Sequence, residues 1–83
     1  MKTHYLKTLP EFFEMAINGS KTFECRYNDR DYEVGDKVVL MEWDLSIMQF
    51  TGRELFVEIT YVLKDFVGMA LNWVVFSIKI VED

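Results

Sequence analysis

Apolar and polar residues alternate along most of this chain, and the pattern predicts strands around one early helix. Residues 4–8 form a short extended segment. Residues 10–18 carry Phe12, Phe13, Ala16 and Ile17 at helical spacing. Pro10 suits the first helical position, Glu11 and Glu14 favour the positive N-terminal end, and Asn18-Gly19 supplies a left-handed cap. Residues 22–27 alternate again, with Thr22, Glu24 and Arg26 on one face and Phe23, Cys25 and Tyr27 on the other. The apolar face is expected to pack into the core and the polar face to line a cleft. A polar turn at 28–31 and a second at 34–36 follow, with Gly35 expected at positive φ.

Residues 37–43 predict a strand covered on both sides, with Val39, Met41 and Trp43 opposite Val38 and Leu40. Residues 44–52 connect it to the next strand through a bend at Thr51-Gly52. Along 54–63, Leu55, Val57, Ile59 and Tyr61 alternate with Glu54, Glu58 and Thr60. A loop around Gly68 leads to a closing strand, 73–81, with Val74, Phe76, Ile78 and Ile80 inward. Phe12, Phe13, Phe23, Phe76 and Tyr61 fall at core positions of this pattern. Strands this apolar would leave sticky edges unless the sheet closes. The expected architecture is therefore a β-rich α+β domain, a small barrel of five to six strands with one principal N-terminal helix.

The 83 residues make one domain, and 51% of them are hydrophobic, so a compact core is feasible. A single cysteine excludes an internal disulfide, and its strand position predicts a buried structural thiol. The start, Met1-Lys2-Thr3-His4, has no apolar leader, and no apolar run approaches the ~20 residues of a membrane span, so a cytoplasmic protein with no membrane partner is expected. The net charge of −5 argues against broad phosphate-driven affinity for nucleic acid, while leaving room for a local basic mouth. The lone His4 has no Cys or His at ligand spacing, so neither a metal nor another cofactor is expected.

The chemistry concentrates in Gly19-Ser-Lys-Thr-Phe-Glu-Cys-Arg26. This octapeptide matches the Gly-x-Lys-x-x-Glu-x-Arg signature of ASCH domains (activating-signal-cointegrator homology), members of the PUA-like superfamily of small RNA-associated β-barrels. The resemblance extends through His4-Tyr5-Leu6-Lys7, Pro10, Phe13, Asn28-Asp29-Arg30, Gly35-Asp36 and Phe50-Thr51-Gly52-Arg53. Together these look like a short prokaryotic and phage branch of uncharacterised ASCH-like proteins, and they cover nearly the whole chain. The resemblance implies a PUA-like barrel with a ligand cleft between helix and barrel. It sets Lys21, Glu24 and Arg26 in that cleft, with His4 and Lys7 nearby and Arg30 and Arg53 as phosphate contacts.

Read from spacing alone, Glu24 and Arg26 are a solvated pair, and Arg30 and Arg53 are turn arginines. Trp43 and Trp73, near strand ends, are core or rim; at a rim, a tryptophan can stack a base. Three functions follow. The first is a recognition domain for RNA or a nucleotide-like small molecule. The second is a hydrolase of a modified nucleoside, after the enzymatic ASCH-like branch that cleaves acylated cytidines. That branch carries a nucleophilic threonine where this chain has Glu24, which disfavours an enzyme. The third is an acidic protein-interaction module.

Overall fold

A computed structural model describes residues 1–82. The chain runs β1 (Thr3–Thr8), α1 (Pro10–Ile17), β2 (Phe23–Tyr27), β3 (Lys37–Asp44), β4 (Gln49–Lys64) and β5 (Trp73–Ile80). The strands form one curled sheet in the order β1-β3-β4-β5-β2, with β1 parallel to β3 and every other pair antiparallel. The sheet is a half-barrel. Among the described residues no ladder joins β1 to β2, so the expected closure by strand pairing is not made and both remain edges.

Helix α1 starts at Pro10, takes Phe12 and Phe13 amides onto the Leu9 carbonyl, and ends at Asn18 with Gly19 at φ +83°. Its buried residues are Phe13 and Ala16; Phe12 and Ile17, expected in the core, are exposed, because an eight-residue helix on an open sheet buries a narrow stripe.

The concave face of the sheet holds Leu6, Val38, Leu40, Val57, Ile59, Val74, Phe76 and Ile78, closed over by Phe13, Ala16 and Tyr32. Tyr32, in the β2–β3 connection, plugs this core with its ring 4.8 Å from both the His4 and the Phe76 rings. Val39, on the opposite face from Val38 and Leu40, is also buried, as expected of a strand covered on both sides. Gly35 adopts φ +93° and donates to the Ile59 carbonyl.

Two irregularities in β4 break the expected alternation. Ile59 pairs with Ile78, but Tyr61 pairs with Ser77, so Thr60 is an extra residue. Inward parity passes from Val57 and Ile59 to Val62, and Tyr61, expected in the core, points to solvent. The second irregularity lies where Met41 pairs with Glu54 and Trp43 with Phe50. Thr51, Gly52 and Arg53 bulge there opposite Glu42, with Gly52 at φ +94°. At the far end of β5, Ile80 is exposed rather than inward.

The largest departure is in β2. Its polar face turns inward: Glu24 is 3% exposed, while Phe23, Cys25 and Tyr27 face out. The expected buried thiol is therefore an exposed one. The reason is electrostatic. Lys21 and Arg26 neutralise Glu24 on the concave side, and Arg26 is itself held there by the Lys7 carbonyl, so burial of the carboxylate leaves no charge uncompensated.

Candidate functional site

The chain turns sharply after α1, where the Lys21 amide donates to the Met15 carbonyl 3.0 Å away, and this sets Lys21 beside β2. The Lys21 ammonium donates to Oε2 of Glu24 and to the Phe23 carbonyl. On the other side of the carboxylate, Nε and Nη2 of Arg26 donate to Oε1 at 3.0 and 2.9 Å. Two cations thus share one buried carboxylate. Nη2 of Arg26 also reaches across the open seam to the Lys7 carbonyl on β1, 2.9 Å away, and touches the Thr8 hydroxyl at 3.5 Å. Nη1 of Arg26 makes no hydrogen bond among the described residues.

Arg26 stands between two hollows. One is a groove of about 570 Å³ along the seam between β1 and β2. Its walls include Tyr5 and Lys7 from β1, Arg26 and Tyr27 from β2, and Arg30, Phe50 and Trp73. Tyr27 and Trp73 meet edge to face at 6.0 Å, both partly exposed. The Lys7 ammonium lies 3.9 Å from the centre of the Trp43 ring and has no carboxylate within ion-pair distance among the described residues. Arg30, in contrast, has Asp29 at 3.8 Å. The second hollow, about 580 Å³, lies between α1 and β2 and is walled mainly by Phe12, Met15, Phe23 and Lys21.

The remaining candidates are placed elsewhere. His4 is buried, and its Nε2 is 2.8 Å from Oδ2 of Asp36. His4 and Lys7 lie on opposite faces of β1, so they do not share a groove. Burial alone would raise the Asp36 pKa. The His4 hydrogen bond and the amides of Lys2 and Glu33 outweigh it and hold the carboxyl below its ordinary range. Arg53 donates to both oxygens of Glu42, at 3.0 and 2.9 Å, and reaches Glu14 on α1. Hydrogen bonds from Arg53, then from Thr51, hold Glu42 down at about 2. Arg53 also packs 4.9 Å from the Phe13 ring, so it joins helix to sheet.

The structure thus brings Lys7, Arg26 and Arg30 into the seam groove. Lys21 and Glu24 adjoin it through Arg26, and His4 and Arg53 sit in other networks. Tyr5, Tyr27 and Phe50 were not legible as wall residues. The signal for Tyr5 and Tyr27 lay in the alternation of β1 and β2, which places Tyr5 with Lys7 and Cys25 with Tyr27 on outward faces; Phe50, at the start of β4, had no such signal. No group of three or more His, Cys, Asp or Glu side chains converges to hold a metal among the described residues. No helix there is long and apolar enough to cross a membrane.

Residues 3–78 match the profile of a domain of unknown function, DUF3850, and the chain belongs to that family. It is also 39% identical over 59 residues to the "Uncharacterized 12.9 kDa protein in GpA 3'region" of Escherichia phage P2. That match covers 71% of this chain and 52% of the phage protein, so the chain matches about half the length of its relative.

Proposed function

We propose that this chain is an ASCH-like member of the PUA-like superfamily that binds RNA or a nucleotide-like small molecule. The assignment rests on the ordered motif from His4 to Arg53 and on a small curled sheet carrying one helix. The site is the seam groove between β1 and β2, with Arg26 shared between it and the hollow under α1.

One observation carries the reading: the groove combines exposed aromatic faces with an ammonium that no carboxylate among the described residues neutralises. Base faces stack on aromatic rings for roughly 1–3 kcal/mol per base, and lysine supplies a phosphate contact. Tyr27 and Trp73 offer the first, and Lys7 the second. Glu24, 3% exposed with cations on both oxygens, orients Arg26 rather than touching the ligand. The same clasp gives a hydrolase little to work with, since position 24 carries no hydroxyl and Lys21 is engaged.

An NMR titration with nucleotides and short single-stranded RNAs tests the proposal. The expected result is a set of shifts confined to Tyr5, Lys7, Arg26, Tyr27, Arg30 and the Trp73 indole. Shifts spread over the whole surface, or none at low salt, would overturn it.

A further inference from the structure

We infer that the groove takes a single nucleotide ending in a phosphomonoester, with the dianion held between Lys7 and Arg26 and the base against Tyr27 and Trp73. The inference rests on the nucleotide reading above and narrows it to one ligand class.

The argument begins with charge. The chain carries −5, so a polyanion is repelled at long range unless cations follow its backbone. The groove has no such row. Arg30 is paired with Asp29, and Arg53 is committed to Glu42 and Glu14, away from the groove. What remains is compact. Lys21 and Arg26 share Glu24, which leaves one positive charge in that triad, and Lys7 adds a second. A terminal phosphate carries about −1.5 to −2 at pH 7, whereas each link of an RNA strand carries one charge spread along its length. The local charge fits the first.

Donor geometry points the same way. Lys7 has its ammonium free of any hydrogen bond among the described residues, and Arg26 has Nη1 free. The bond from Arg26 Nη2 to the Lys7 carbonyl keeps that guanidinium beside the Lys7 backbone. Glu24 holds it from behind, so its fork does not reorganise when an anion arrives. The lysine stem is exposed and can swing from the Trp43 ring toward the seam. At about 570 Å³ the groove is in the range of small-molecule sites, room for one nucleotide rather than a strand.

The test is calorimetry and NMR on the full chain with uridine and adenosine 5′-monophosphates, the parent nucleosides, inorganic phosphate and a dinucleoside phosphodiester. The monophosphates are expected to bind about tenfold tighter than the nucleosides or the diester, the size of one charge-assisted hydrogen bond. Their affinity should fall as pH drops through about 6, where the phosphate takes its second proton. Lys7→Ala should lose about that tenfold, while Lys64→Ala, a cation outside the groove, should lose nothing. If nucleosides or the diester bind as tightly as the monophosphates, this inference fails and the nucleotide reading stands. If inorganic phosphate matches the monophosphates, or if no ligand shifts the groove, both fail.

Discussion

Arg26, on one open edge of the sheet, donates through Nη2 to the carbonyl of Lys7 on the other edge, 2.9 Å away. This side-chain bridge stands where a closed barrel would have a backbone ladder. It joins strands separated by the whole width of the sheet, and it exists because Glu24 and Lys7 hold the guanidinium at both ends. Arg26→Ala should cost about 2 kcal/mol, since charge-assisted hydrogen bonds are lost while Lys21 still covers Glu24. Amide exchange should speed up in β1 and β2 ahead of β3 and β4. Arg26→Lys should recover little, because one ammonium cannot serve Glu24 and the Lys7 carbonyl together. Uniform exchange across all five strands in Arg26→Ala would sink the bridge as the closing element.

Acid should loosen the joint between helix and sheet. Glu42 is held at about 2, against 4.5 for the free side chain, so its folded pKa is depressed. The resulting stabilisation is complete above about pH 4.5 and is lost as pH falls toward 2. Asp36, also lowered, adds to the same acid limb. Thermal midpoints measured from pH 7 to 2 should fall through this window. Glu42→Gln should start lower at pH 7 and show a shallower acid slope; an unchanged slope would remove Glu42 from the account.

The His4–Asp36 pair predicts a stability effect without a binding effect. Asp36 is fully buried and accepts from His4, the Lys2 amide and the Glu33 amide. Asp36→Ala strands all three donors and should cost about 3 kcal/mol or more by denaturant melts. Asp36→Asn keeps the size and should cost less. Neither should move nucleotide affinity by more than about twofold, and a larger loss would return His4 to the binding site.

Salt dependence distinguishes a groove contact from diffuse attraction. With one to two phosphates engaged, the slope of log K against log salt for a single-stranded RNA should be about −0.7 to −1.4. A slope near −3 would require Lys21, Arg30 and Arg53 to leave their carboxylates for phosphate.

Cys25 projects from the outer face of an edge strand and is exposed. It should react fully with a thiol reagent in the native protein, with no denaturant. Reaction only on unfolding would mean that β2 presents its other face to solvent.

Local chemistry alone was enough for much of this fold. Pro10 and Gly19 bracket a helix because one lacks the amide that a first turn leaves free and the other reaches φ +83° without a side-chain clash. The alternation of Val74, Phe76 and Ile78 shows a strand with one buried face, and the structure buries those residues. The octapeptide singled out Lys21, Glu24 and Arg26, and they do form one cluster. Tertiary structure alone decided which way β2 faces. Alternation states that Phe23, Cys25 and Tyr27 share a side, but hydrophobicity then chooses the wrong one. Lys21 is near in sequence, but the Lys7 carbonyl and Thr8 hydroxyl that complete the Glu24–Arg26 network lie 19 and 18 residues from Arg26. The same holds for Tyr61, whose outward turn depends on Thr60 being unmatched opposite Ser77. Periodicity is a property of neighbours along the chain, whereas the hydrogen bonds that anchor Arg26 across the seam, and the register of β4 on β5, depend on partners that only folding brings together.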